Sequence, residues 1–470
     1  MKKLIFYLFI GTVFFAVSCT EKDPADDNTF STKSVEENKQ SIETSGIEMI
    51  NEMQDMEQEP AIQANIAMVT FMETSDPFEG NSGLNKKVVL SRTIAFAPVF
   101  ASANYSETGV EGMLKSIQVN PAVGDPETIQ ELYDLLVGVY SWNAATETWD
   151  YSDTGTIIKF EFPSTQDGTV NDATYTVSYT GYTGPNPIDD YTGDLPQNVT
   201  AELKVDDNTK MSFVVDIEYN TNGYPTSIES TLTIGEWVWY AMASNTNNAA
   251  FATEFSFKHA TKILLRLTLD AAGNWSKENI EANTTYYKET WYEIGGYWYW
   301  EEVEVSKDEP YDYSNTDIHK VINSGNASFQ AMNLKIVGSI DVLNFGNEMN
   351  RIDETYDWET QEEQIVAAQV VAINKYVSLS LRYADNNAII ALVEAFPVSE
   401  DYTYQEYWYD GTWHETQRTV TETDYWFDMR FVFADGSKVD AETYFGEGFE
   451  DVIDEFETYL EELENTYGKK

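Results

Sequence analysis

Aromatic and acidic residues recur in this chain at spacings that would bring them to one surface. A two-residue turn at Gly295-Gly296 sets Trp291 opposite Trp300, Glu289 opposite Glu302 and Tyr287 opposite Glu304. A tight turn at Asp410-Gly411, a strong type I′ signal, sets Trp408 opposite Trp413, Glu406 opposite Glu415 and Tyr404 opposite Gln417. A weaker copy about Ala145-Thr146 pairs Trp142 with Trp149 and Tyr140 with Tyr151, without the glutamate layer. Exposed rings of this kind stack on sugar rings or anchor a protein partner. Buried, the same pairs would only fill a core. Facing glutamates repel, so they need screening by water or a cation held by hard oxygens. The ligand-binding candidates are Trp413, Trp408, Trp291, Trp300, Tyr404 and Tyr287, with Trp413 foremost because it lies so close to its turn.

Other chemistry is sparsely supplied. His259, His319 and His414 are scattered, with no zinc-binding spacing. No Gly-x-Ser-x-Gly elbow, phosphate-binding glycine loop or twelve-residue calcium loop occurs. A carboxylate pair of the glycosidase kind arises by chance among 80 acids, so it carries no information. The expectation is a protein that is not an enzyme, with no cofactor and no metal. The charge, 28 − 80 = −52, repels nucleic-acid phosphate and anionic lipid headgroups. The 12 Trp, 30 Tyr and 24 Phe nevertheless supply enough apolar area for a folded core. The single cysteine excludes an internal disulfide.

That cysteine sits at an informative place. Lys2 and Lys3 precede an apolar run from Leu4 to Val17, too short for a comfortable membrane span. The run ends Ala16-Val17-Ser18-Cys19, which resembles the lipobox of bacterial lipoprotein signal peptides, although the family prefers Leu where Ala16 stands. The resemblance implies a signal peptide over 1–18, cut before Cys19, and a diacylglycerol on the Cys19 thiol. Each buried methylene contributes about 0.8 kcal/mol, and two or more acyl chains make a stable anchor. Glu21, Lys22, Asp23, Asp26 and Asp27 follow at once, similar to the acidic export segment of Bacteroidetes lipoproteins. This implies an outer-membrane protein on the cell surface, the periplasmic face being the alternative. Residues 19–34 read as a lipidated flexible tether reaching at most ~50 Å.

Four further stretches are expected to position the rings. Residues 35–125 form a helical N-terminal segment with short strands, in which Ile42, Met49, Ile50, Met53 and Met56 recur at helical spacing before Pro60. Ile66, Met68, Val69, Phe71 and Met72 continue the pattern, and a further helix covers about 127–137. Residues 126–306 form an antiparallel meander, with alternation in Val199 to Val205, Met211 to Tyr219, Phe251 to Phe257 and Ile263 to Leu269. Asp206-Asp207-Asn208, Asn222-Gly223 and Asn245 to Asn248 supply its turns. Residues 307–470 are mixed, with helices near 340–352 and 359–375, and strands near 329–337, 377–384 and 388–396. The fourth feature is an amphipathic C-terminal helix over 447–465 with Phe449, Val452, Ile453, Phe456, Tyr459, Leu460 and Leu463 on one stripe. The fold class is α+β, mainly antiparallel β: a large one-sided meander covered by helices.

The functional expectation is a lipid-anchored recognition or structural module with a glycan or a protein as ligand. Its alternative is a carrier of lipid or acyl chain, because a one-sided sheet capped by helices resembles the lipoprotein-carrier fold. The sequence names no ligand and no oligomeric state.

Overall fold

The computed structural model describes residues 29–54, 56, 59–78, 128–188, 193–246, 248–294, 297–358, 360–406 and 418–446. Strands take 51% of the structure and helices 24%, which makes it a β-rich α+β protein. The described chain divides into two compact units, one built on 45–268 with 330–332, the other on residues up to 44, 269–329 and 333–446.

Half of one helix, two whole helices and a long meander make the first unit among the described residues. Helix α1 (Val35–Gln54) contributes its second half, and α2 (Pro60–Thr74) starts on proline, whose missing N–H costs nothing in a first helical turn. Helix α3 (Ile129–Leu136) is capped by the Thr128 hydroxyl, which accepts from the Glu131 N–H at 3.1 Å. Strands β1 (Gly138–Asn143), β2 (Thr148–Ser152), β3 (Ile158–Phe162), β4 (Ala173–Gly181) and β5 (Pro196–Val205) follow. Then come β6 (Asn208–Tyr219), β7 (Pro225–Ile234), β8 (Trp237–Thr246), β9 (Ala250–His259) and β10 (Lys262–Gly273). Their sheet order is β10-β9-β8-β7-β6-β5-β4-β3-β1-β2.

Alternation explains the meander. Leu203 faces Met211, Ala201 faces Phe213 and Val199 faces Val215, and all six side chains are buried. A one-residue slip would put this whole set in water, so burial fixes the register. Asp206 and Asp207 take φ of 51° and 62°, the two left-handed positions that a tight hairpin turn requires. On the buried face Ala61, Ala64, Ala67, Met68 and Phe71 of α2 pack against the strands, the alanines allowing close approach. Phe71 stacks on Trp142 at 4.6 Å. Met49, Met53, Met56 and Met72 pack against the same core, so the methionine stripe is packing. One pair departs from the antiparallel expectation: β1 and β3 run parallel, with Tyr140 beside Phe160.

The second unit holds the first half of α1 and a second sheet. Helix α4 (Lys277–Ala282) precedes β11 (Thr284–Ile294), β12 (Tyr297–Val305) and β13 (Tyr313–Thr316), which form a separate three-stranded sheet. The other strands are β14 (Ile322–Ala331), β15 (Leu334–Ile340), β16 (Val377–Tyr383), β17 (Ile389–Glu406), β18 (Arg418–Val432) and β19 (Lys438–Asp440), adjacent in that order. Helices α5 (Val342–Thr355) and α6 (Glu362–Tyr376) cover them, with Val366, Val370 and Ile373 against Ala395 and Met429. Ile42 of α1 joins Leu381, Tyr383, Phe431 and Tyr444. Tyr383 donates its hydroxyl to the buried Asn38 at 2.8 Å.

The strand expected over 329–337 is two strands joined at Met332-Asn333, where Met332 takes φ of 52° without a glycine to announce it. A six-residue helix, α7 (Ala441–Gly446), ends the described chain. The helix expected over 447–465 lies outside the described residues.

Candidate functional site

The three-stranded sheet carries the exposed rings. Trp291 pairs with Trp300, Glu289 with Glu302 and Tyr287 with Glu304, as the Gly295-Gly296 turn predicts. The two indole rings lie 6.4 Å apart. On the β13 side Tyr287 faces Tyr313, their rings stacked at 5.2 Å. One face therefore carries Tyr287, Glu289, Trp291 and Glu293 from β11, Trp298, Trp300, Glu302 and Glu304 from β12, and Tyr313. The opposite face carries Tyr286, Lys288, Tyr292, Tyr299 and Val303, with Tyr292 stacked on Tyr299 at 6.0 Å.

Water reaches both faces. Trp291, Trp298 and Trp300 are 57%, 67% and 54% exposed, and Tyr292, Tyr299, Tyr311 and Tyr313 are also exposed. Trp298, Tyr292, Tyr299 and Tyr313 are functional candidates beyond those expected from the sequence. The same turn places Tyr292 opposite Tyr299 and Glu293 opposite Trp298, so the signal was available at the alternate positions.

The glutamate layer is relieved locally. Tyr313 donates its hydroxyl to the Glu302 carboxylate, and that bond pushes the tyrosine pKa up to about 12. Asp312 accepts from the Glu289 N–H at 2.8 Å, which ties the loop before β13 to β11. Glu289, Glu293, Glu302 and Glu304 remain exposed. Among the described residues no three His, Cys, Asp or Glu side chains gather as a metal site.

The second hairpin corrects the expected register. Tyr404 faces Val420, not Gln417, and Glu406 faces Arg418, not Glu415. The base of the hairpin decides this. Ala395 faces Met429, both buried, whereas a three-residue shift would set Ala395 against the exposed Trp426. An odd shift exchanges the faces of a strand, so the core at the base overrides the turn signal at the tip. The layer order shared with the first hairpin fails at these two positions. Tyr404 and Tyr402 instead both donate to Glu422, at 2.8 and 2.6 Å. Trp408, Trp413 and Cys19 lie outside the described residues.

In the third hairpin Trp142 faces Trp149 at 5.4 Å and Tyr140 faces Tyr151 at 5.1 Å, in the expected register. There Trp142 and Tyr140 are buried, at 6% and 2% exposure. The same cross-strand tryptophan pair serves a core in one hairpin and a wet surface in the other.

No protein-family model matches the chain, and no curated protein matches its sequence. The site must be read from its own chemistry.

The two described histidines belong to the scaffold. His259 stacks on the buried Trp237 at 4.1 Å and meets Glu52 at 2.6 Å, with Lys262 at 3.0 Å from the same carboxylate. Hydrogen bonds from His259 and then from Lys262 hold the Glu52 carboxyl below its usual range. His319 is buried on the short turn after β13, its Nδ1 2.8 Å from Asp317. His414 lies outside the described residues. No helix of the described residues is long and apolar enough to cross a membrane.

Proposed function

We propose that this chain is an outer-membrane lipoprotein, anchored by lipid on Cys19, whose folded part is a non-catalytic recognition or structural module at the cell surface. The observation that carries the reading is the set of three tryptophans, Trp291, Trp298 and Trp300, more than half exposed on one face of a small sheet. Large rings grouped in water mark interaction surfaces, and tryptophan is the residue that most often supplies binding energy when a partner desolvates it. The lipobox and the acidic segment at Glu21 to Asp27 support surface display. A carrier of lipid or acyl chain would need a hollow beneath the sheet. In the meander that face is packed by Ala64, Met68 and Phe71 of α2, which favours recognition.

The test is binding of the full chain, purified in mild detergent, to arrays of glycans and envelope proteins. Trp300→Ala should weaken the leading interaction by about 2 kcal/mol, the scale of an interface anchor, and leave thermal stability within ~0.5 kcal/mol of wild type. A large stability loss with no specific binding to lose would return the ring to packing and put the carrier reading ahead.

A further inference from the structure

The face that carries the three tryptophans has a one-sided charge. From the turn toward the base its cross-strand layers read Glu293 with Trp298, Trp291 with Trp300, Glu289 with Glu302 and Tyr287 with Glu304. The tryptophan pair is thus bracketed by carboxylates on both sides. None of the paired residues on this face is basic. Lys288 lies on the opposite face, and Lys307, next along the chain, is held by Glu281 at 2.6 Å.

We propose that this face binds an arginine-bearing protein segment, whose guanidinium stacks on Trp291 or Trp300 and donates to Glu289 and Glu302. The proposal rests on the recognition reading above and names its partner's chemistry. Residues two apart on a strand stand ~7 Å from one another, and a cation binds within about 6 Å of a ring centroid. A guanidinium over Trp300 is therefore within reach of the next carboxylate layer. Arginine fits better than lysine because its planar group stacks on an indole while its edge N–H groups meet a carboxylate. Glu302 keeps acceptor capacity although Tyr313 already donates to it, since an ionised carboxylate offers about four lone-pair sites. A ligand bearing carboxylates or phosphates would be repelled by the same layers. A neutral glycan can stack on the rings and donate hydroxyls to the acids, but it leaves their negative charge in place, whereas a guanidinium does all three: it stacks, donates and neutralises.

The experiment compares four probes on the full chain: peptides alternating Arg-Thr, Lys-Thr and Glu-Thr, and a panel of neutral oligosaccharides. Calorimetry and tryptophan fluorescence are read for wild type, for Trp291→Ala with Trp300→Ala, and for Glu289→Gln with Glu302→Gln. Trp358→Ala, another exposed ring, serves as control. The Arg-Thr peptide should bind about tenfold tighter than Lys-Thr, and Glu-Thr should not bind. Each paired variant should lose at least tenfold in affinity without a change in melting temperature, and the control should lose none. The chain carries a large net negative charge, so dependence on these residues is the discriminating result. Arg-Thr binding that survives the glutamine variant, or equal binding of Arg-Thr and Lys-Thr, overturns the proposal. Oligosaccharide binding lost in the tryptophan variant, with no such peptide effect, overturns the cationic partner but leaves the recognition reading. If no probe depends on the tryptophans, both fall.

Discussion

Gly346→Ala should destabilise the protein, against the usual trend for a glycine inside a helix. Gly346 lies within α5, where alanine normally gains about 1 kcal/mol. Here a Cβ built on the glycine would sit 2.4 Å from both Cβ and Cγ of His319 and 2.8 Å from its Nδ1. Carbon atoms pack at about 3.5–4.0 Å, so the ring would have to retreat by roughly 1 Å. It has little room to do so, being 7% exposed and fastened to Asp317. Overpacking of this kind costs about 1–3 kcal/mol. With the upper part of that range set against the helix gain, the net loss is about 1–2 kcal/mol, or a few degrees in melting temperature. Denaturant and thermal unfolding of the full chain measure it. In a His319→Gly background the sign should reverse, because both the Cβ and the ring that the new methyl would strike are gone and the helix gain of ~0.5–1 kcal/mol remains. Stabilisation by Gly346→Ala in the wild-type background would refute the contact. The contact matters to the site because His319 lies three residues beyond β13, so α5 braces the base of the aromatic sheet.

Glu52→Gln should lower stability at pH 7 by about 1 kcal/mol, since a half-exposed ion pair is worth little more. The folded carboxyl is held below its usual range, so the stabilisation is complete above pH ~4.5 and fades as pH falls through the folded pKa. The wild-type and variant unfolding curves should therefore converge in acid, and a gap that does not narrow as the pH is lowered from ~4.5 would remove the Glu52 carboxylate as its source. Trp142→Ala should cost about 3–5 kcal/mol of stability, in contrast to Trp300→Ala, and equal costs would erase the distinction between the two hairpins. Cys19→Ala should abolish incorporation of labelled palmitate and release the chain from membranes; continued labelling would refute the lipobox. With Glu21, Asp23, Asp26 and Asp27 neutralised, the chain should become protected from protease added to intact cells, and protection of the wild type would place it on the periplasmic side.

The parts legible in the sequence are those set by local rules. Period-two alternation marks β5, β6, β9 and β10, the Asp206-Asp207 turn carries its own chemistry, and Gly295-Gly296 gives the register of the aromatic hairpin. The helical spacing of the methionines in α1 and α2 is legible too, and it coincides with the face that packs on the core. What escapes is long range. The register of β17 on β18 is chosen by Ala395 and Met429, fifteen residues or more from the Asp410-Gly411 turn, where the hairpin meets α6. Parallel pairing of β1 with β3 has no signature in a five-residue strand. The Met332-Asn333 turn lacks glycine, and its Asn333 side chain accepts from the Asp385 N–H, a residue far along the chain. Exposure of the tryptophans was equally illegible: Trp142 and Trp300 have the same cross-strand neighbour and opposite surroundings.

The β17–β18 hairpin has a further consequence, mechanical in kind. Near its base the rungs are clamped by the Glu394–Arg430 ion pair, with Lys438 on the same carboxylate, and by packing against α6. Farther out, from Asp401 to Gln405, the rungs stand in water. They are joined by the backbone ladder and by side-chain bridges such as Asp401 with Thr423, Thr403 with Thr421 and Gln405 with Thr419. A ladder built this way does not yield all at once. Force applied at the distal end unzips it rung by rung, each step breaking a bridge and a pair of backbone bonds, until the opening front reaches the packed base and stalls. The outer half thus gives way gradually under tension, while the core beneath it keeps its fold.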